Sequence, residues 1–170
     1  QTQELFNYAK DRTIIFSAPF DIESVEELEK LEVDCYKIAS FDLVNLPLIR
    51  SVASTGKPMI ISTGMANFEE IQEAIEAARE GGCNELAVLH CVSGYPAPAR
   101  DYNLKTLVDI QNNFELVTGL SDHTVGNTIA ISSIALGASI IEKHLTLDRN
   151  GGGPDDSFSL EPAEFKLLVE

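Results

Sequence analysis

Short apolar runs alternate with amphipathic helical patterns along the whole chain. The apolar runs predict six strands, at 13–17, 35–40, 58–63, 86–92, 116–120 and 139–144. Their nearly continuous apolar character is typical of strands that helices cover on both faces. The alternation therefore predicts an α/β fold built on a parallel sheet, either doubly wound or closed as a barrel.

The helical stretches between these strands carry start signals. Ser24 with Glu27, and Asn67 with Glu70, have the spacing of capping boxes. Pro162 suits the first turn of a last helix. These signals place one helix after each strand, as a repeated βα unit requires.

Polar side chains follow every predicted strand, and no glycine-rich phosphate fingerprint follows the first one. An open doubly wound sheet concentrates its site at one switch point. A barrel uses the whole rim at the carboxyl ends of its strands. The sequence therefore favours a (β/α)8 TIM barrel. Six units are fewer than the eight that close one, so we expect residues 1–170 to be an incomplete piece that lacks two N-terminal strands.

Composition narrows the possible partners. The formal net charge of −15 argues against a nucleic-acid surface. No apolar run reaches the roughly 18 residues that span a bilayer, and the first residues lack the pattern of a signal peptide. Three cysteines without CxxC spacing suit reduced core thiols. We expect a cytoplasmic protein with no nucleic-acid or membrane partner.

Two histidines end neighbouring strands. His123 follows the fifth apolar run, and His144 ends the sixth. Parallel strands joined by one crossover helix usually lie side by side, so both residues should face the same rim. Two imidazoles there form half of an open metal site. Alternatively, each histidine only makes a hydrogen bond at its strand end.

Five segments, in this order and spacing, resemble the sialic acid synthase family. They are YKIAS at 36–40, KPMIISTGM at 57–65, HCVSGYP at 90–96, GLSDHT at 119–124 and EKH at 142–144. The stretches 90–98 and 153–162 are most similar to the pseudaminic acid synthase branch. The resemblance implies condensation of phosphoenolpyruvate with an N-acylated amino sugar, in its open-chain aldehyde form, to a nine-carbon nonulosonic acid and phosphate.

The resemblance also implies parts that we expect to lie outside this stretch. Members carry a small antifreeze-like domain after the barrel, which lends an arginine to the partner subunit's site. Their first two strands supply a glutamate and a phosphate-binding lysine. We therefore expect a homodimeric parent protein, and we expect the isolated stretch to be inactive.

Site roles follow by resemblance. His123 and His144 would hold a divalent metal, typically Mn²⁺, with Mg²⁺ or Co²⁺ as alternatives. Asp42 stands where the family usually has glutamate, with an acid–base or sugar-contacting role, and Asp155 would bind sugar hydroxyls near the metal. The residues implied for phosphate and carboxylate binding are Lys37, Ser40, Ser62, Ser93, Tyr95 and Ser121. Asp122 would either orient His123 or cap the next helix.

Several alternatives stay open at this point. The amino sugar could instead be that of an N-acetylneuraminate or a legionaminic acid synthase. A Schiff-base aldolase of class I would use Lys37 as its nucleophile and need no metal. A third reading is a barrel piece without catalytic activity.

Overall fold

The computed structural model describes residues 2–170, which form two compact units. The first unit contains the residues through Ser62 together with Ala66–Leu86. The second contains Thr63–Met65 and Ala87–Glu170. Within this described range, no helix has the length and apolar character needed to cross a membrane.

The first unit pairs two parallel strands, with Tyr36 opposite Met59. Its elements are α1 (Thr2–Ala9), α2 (Ile22–Lys30), β1 (Tyr36–Ile38), α3 (Leu46–Ala53), β2 (Met59–Ser62) and α4 (Phe68–Glu80). Asn67 and Glu70 make the predicted capping box at the start of α4, each accepting the other's backbone N–H. The alternation of strand and helix that the sequence predicts is confirmed here.

Two local predictions in the first unit are wrong. The run 13–17 forms no strand, because only Ser17 bridges to Tyr36. Ile14 is 67% exposed, so this run lacks the cover that a buried strand needs. The helix α2 is capped by Asp21, whose carboxylate accepts from the Ser24 backbone N–H, and not by the predicted Ser24.

The second unit holds three parallel strands in chain order. Its elements are β3 (Leu86–Cys91, from Ala87 onward), α5 (Lys105–Phe114), β4 (Val117–Asp122), α6 (Thr128–Ile134), β5 (Ile140–Lys143) and α7 (Pro162–Val169). The strand β4 pairs with β3 on one side and with β5 on the other. Pro162 begins α7, as its position in the sequence predicts.

One glycine lets β4 and β5 approach closely. A Cβ atom at Gly119 would lie 2.4 Å from the Ile140 carbonyl oxygen and 2.6 Å from Leu89 Cδ2. Both distances are shorter than van der Waals contact, so any side chain here would push the strands apart. Beside this contact, Leu120 packs with Tyr102 and Leu107 in a buried apolar cluster.

Cys83 and Cys91 are buried and Cys35 is half-buried. None of the three forms a disulfide.

Candidate functional site

The carboxyl ends of β4 and β5 carry three successive pairs of side chains. Ser121 lies opposite Glu142, and Asp122 lies opposite Lys143. One residue further along, the rings of His123 and His144 lie with their centroids 5.3 Å apart and their planes at 69°. The two histidines that the sequence singles out therefore stand side by side, because their strands are neighbours in register.

His123 is fixed at three points. Its ring Nδ1 lies 2.8 Å from the Val92 carbonyl oxygen. Because a carbonyl only accepts, Nδ1 is the donor, and Nε2 is the ring nitrogen that remains for a ligand. The backbone N–H of His123 donates to the Tyr102 hydroxyl at 2.7 Å, and its carbonyl accepts from the Ala97 N–H at 3.0 Å. The ring and its backbone are thus oriented before any ligand arrives.

His144 faces a carboxylate. Its Nδ1 lies 3.5 Å from Asp155 Oδ2. Burial lowers the pKa of His144, and the neighbouring His123 lowers it further, while Asp155 acts in the opposite direction. The imidazole is therefore neutral at neutral pH, which is the form that binds a metal.

Two aromatic rings border the histidines. The Tyr95 ring lies 4.1 Å from the His123 ring and 5.8 Å from the His144 ring, between centroids. Phe158 packs 5.1 Å from His144. Burial raises the pKa of Tyr95, so its phenol stays protonated and can donate. Sequence reasoning missed Phe158, because nothing in its apolar side chain marks it among other core residues.

The loop after β5 uses its two neighbouring aspartates differently. The Asp156 carboxylate accepts from Thr146 Oγ1 at 2.6 Å and from the Gly153 N–H at 2.7 Å. It thereby closes the loop on itself. Asp155, in contrast, turns its carboxylate toward His144. The residue predicted to act near the metal is the one that faces the histidine.

Asp122 neither bonds to the His123 ring nor caps the next helix. Its carboxylate accepts from the Lys143 ammonium at 2.7 Å and from the Thr124 N–H at 2.8 Å. The His123 ring instead takes its orienting bond from Val92.

The donor set at the strand ends fits a divalent transition metal. Both histidines have Nδ1 next to an oxygen, which is the usual outer arrangement around metal-binding imidazoles. Neutral imidazole nitrogens suit Mn²⁺ and related ions when oxygen ligands complete the shell. Across residues 2–170 there is no group of three or more His, Cys, Asp or Glu side chains that could enclose an ion. Two imidazole ligands alone would leave positions at an ion for water and substrate.

Four predicted site residues belong to the first unit, within its strands or directly after them. Lys37 is half-buried in β1 and donates to the Ile38 carbonyl at 3.1 Å. Ser40 and Asp42 lie in a 3₁₀ turn directly after β1. Ser62 ends β2 and is 1% exposed, and its Oγ has no hydrogen-bond partner among the described residues. An orphaned buried hydroxyl at a strand end suits a ligand-binding role.

The two remaining serines lie in the second unit. Ser93 follows β3, and its Oγ lies 3.9 Å from Cys91 Sγ. Ser121 is buried and donates to Glu142 Oε1 at 2.6 Å. The hydroxyl proton of Ser121 is thus engaged within the strand pair.

Comparison with known proteins places these features in context. A family model described as the NeuB family matches residues 1–170. The chain is 45% identical over 169 residues to the N,N'-diacetyllegionaminic acid synthase of Campylobacter jejuni, covering 98% of this chain and 51% of that protein. It is 43% identical over 168 residues to the pseudaminic acid synthase of Helicobacter pylori, covering 98% and 49%. The chain thus spans about half the length of these curated relatives.

The fold is shared as well. The crystal structure of the spore coat polysaccharide biosynthesis protein spsE from Bacillus subtilis matches with a TM-score of 0.94 at 38% identity. The match covers 98% of this chain and 47% of that one. The predicted fold class, an incomplete (β/α) barrel, is confirmed.

Proposed function

The chain belongs to the NeuB family, and we propose that the protein to which it contributes is a nonulosonic acid synthase. The reaction joins phosphoenolpyruvate, an N-acylated amino sugar aldehyde and water, and it yields a nine-carbon acid and phosphate. The observation that carries this proposal is the pair of oriented imidazoles at neighbouring strand ends, His123 and His144. Relatives named as legionaminic and pseudaminic acid synthases support the same chemistry.

His123 and His144 would bind the metal ion. A bound divalent ion, with Mn²⁺ as our choice and Mg²⁺ or Co²⁺ as alternatives, supplies Lewis acidity to the aldehyde oxygen of the sugar. Val92 and Asp155 keep the two rings turned so that each offers its Nε2. Tyr95 and Phe158 pack against the rings from the side.

Two aspartates, one in each unit, have roles implied by the resemblance. Asp155 has one carboxylate oxygen near His144 and the other available to accept from sugar hydroxyls. Asp42 would accept or return a proton from its 3₁₀ turn, one methylene shorter than the glutamate usual in the family. The protonated Tyr95 phenol would donate to a substrate oxygen.

By resemblance, the residues that would contact the anionic cosubstrate are Lys37, Ser40 and Ser62 of the first unit and, separately, Ser93 and Ser121 of the second. The unpartnered Ser62 hydroxyl is the strongest of these candidates, because binding costs it no existing hydrogen bond. Ser121 would have to release Glu142 before it could donate to phosphate or carboxylate. The Schiff-base alternative would need Lys37 as a neutral amine and gives the paired histidines no role.

We propose the sugar to be the precursor of pseudaminic acid, on the resemblance of residues 90–98 and 153–162 to that branch. The alternatives are a legionaminic or an N-acetylneuraminate synthase. A legionaminic and a pseudaminic acid synthase are almost equally similar to this chain, at 45% and 43% identity. The same proposal includes a homodimeric protein located in the cytoplasm.

The test uses the full-length gene product with phosphoenolpyruvate and a panel of N-acylated amino sugars, with products identified by mass. We expect one sugar to yield a nonulosonic acid. In H₂¹⁸O, loss of phosphate by carbon–oxygen cleavage should leave the label in the sugar acid and none in the phosphate. Chelation should abolish turnover, and Mn²⁺ should restore it. A fully active metal-free enzyme, or an adduct trapped by borohydride on Lys37, would refute the proposal.

A further inference from the structure

Asp122 and Lys143 form an ion pair that is sealed from solvent. Their side chains are 0% and 2% exposed, and Lys143 Nζ lies 2.7 Å from Asp122 Oδ2. The two residues are register partners on β4 and β5, immediately before His123 and His144. Charged side chains are almost never this deeply buried without a specific partner.

The pair lies on the opposite face of the sheet from the histidines. Side chains alternate between faces along a strand, so Ser121 and His123 share one face of β4 and Asp122 takes the other. On that other face, Lys143 borders an apolar groove of about 650 Å³ lined by Ile134, Ile141 and Phe165. The ion pair therefore lies on the face of the sheet that borders apolar side chains, where apolar residues are usual.

The pair also ties down the segment that carries His123. The Lys143 ammonium donates to the Thr124 carbonyl as well as to Asp122. The Thr124 N–H in turn donates to Asp122 Oδ1 at 2.8 Å. Both chain neighbours of His123 are thus bonded to the residue that precedes His144.

We propose that the Asp122–Lys143 pair is a positioning device that holds His123 and His144 in the register needed to bind one metal ion. This inference rests on the proposed metal site. A slip of β5 by two residues would set Asp122 opposite Ile141 or Leu145 and leave two buried charges without partners. The native register is the one in which both charges are satisfied, and it is the one that sets the two imidazoles side by side.

The competing role is plain stability, and the two roles give different results. Replacing a buried ion pair by apolar residues is often neutral or stabilising for the fold. The apolar double variant Asp122→Leu/Lys143→Met should then fold as well as the wild type. It nevertheless removes the bonds to Thr124. It also removes the energetic cost that buried, unpaired charges would impose on a slipped register. We expect Mn²⁺ binding in this variant to weaken at least tenfold.

The experiment uses the full-length protein and two readouts. Mn²⁺ affinity is measured by electron paramagnetic resonance titration. The His123 Nδ1–H resonance is followed in metal-free protein with ¹⁵N-labelled histidine, where loss of orientation broadens or shifts it. The polar variant Asp122→Asn/Lys143→Gln keeps hydrogen-bonding groups across the strands but removes both buried charges, so its affinity should fall, though by less than in the apolar variant. Glu29→Leu/Lys57→Met is the control, because it removes an ion pair of 2.6 Å before β2 and should leave both readouts unchanged.

A folded apolar variant with wild-type Mn²⁺ affinity and an unchanged His123 resonance overturns the inference. If the apolar variant does not fold, the polar variant decides, and wild-type Mn²⁺ affinity with an unchanged His123 resonance in that folded protein overturns the inference. If the wild type itself binds no Mn²⁺, the proposed metal function fails, and the His123 resonance in the same variants still decides whether the pair positions the ring.

Discussion

The Tyr102 hydroxyl lies between the backbones of Ser121 and His123 and bonds to both. It accepts from the His123 N–H at 2.7 Å and donates to the Ser121 carbonyl at 3.1 Å. The Tyr102 side chain is fully buried, and the His90 ring stands at 82° to its ring. The last residues of β4 are therefore fixed by a side chain from the connection before α5, outside the sheet.

The variant Tyr102→Phe tests the contribution of these two hydrogen bonds. It leaves the ring in the core but deprives the His123 N–H of its acceptor and the Ser121 carbonyl of its donor. Leaving such buried groups unpaired costs about 1–3 kcal/mol. We expect the free energy of unfolding, measured with urea, to fall by that amount, and the affinity for Mn²⁺ to fall with it.

The control for this variant is Tyr8→Phe. Tyr8 lies on α1 and is 67% exposed, so removing its hydroxyl should change stability by less than about 0.5 kcal/mol. Equal losses in the two variants would show that the Tyr102 bonds contribute nothing special to β4.

The neighbours Asp155 and Asp156 should respond differently to the same substitution. Asp155→Asn weakens the partner of His144, and loss of such an outer partner typically costs about 10–100-fold in activity or metal affinity. We expect that loss in kcat/KM with the melting temperature unchanged. Asp156→Asn removes a carboxylate bonded to Thr146 and Gly153, so the melting temperature should fall. If both variants lose only stability, Asp155 has no role at the site.

Stability should fall on acidification because of a buried histidine. Burial lowers the pKa of His90 below its ordinary value of 6.5, so the unfolded chain takes up a proton at a higher pH than the folded one. Stability is therefore full above pH 6.5 and declines as the pH falls from there toward the lowered pKa. His144, with its pKa lowered in the same direction, adds to this slope.

Urea unfolding of wild type and His90→Gln at pH 7.5 and 5.5 checks this expectation. Glutamine does not titrate, and its amide can still donate to the Tyr102 carbonyl. We expect the difference in unfolding free energy between the two pH values to be smaller in the variant. An identical difference would assign the acid sensitivity to other groups.

The strand-and-helix order could be predicted because burial on both faces demands continuous apolar runs. The pairing of His123 with His144 could also be predicted, since neighbouring parallel strands end at one rim. The exception was the run 13–17, which has the composition of a strand but lies exposed. Composition shows that a segment has apolar side chains that could be buried. Whether they are buried depends on the elements that pack against them.

The supports of the site could not be predicted. Tyr102 is distant from His123 in the sequence, and its contact depends on how the connection before α5 packs. Asp122 and Lys143 meet only because β4 and β5 pair in one particular register. Such contacts depend on strand register and on the packing of connections, which local sequence patterns do not specify.

The close passage of β4 and β5 at Gly119 has a consequence for how the chain can vary in length. Insertions and deletions are tolerable in the connection between the two strands, where the chain leaves the sheet. Deleting a single residue early in Ile140–Lys143 would turn Glu142 and His144, the partners of Ser121 and His123, toward the helices. It would bring the charged Lys143 to the face that carries His123. Homologous proteins with a working centre should therefore differ in the length of that connection and not in the length of these two strands.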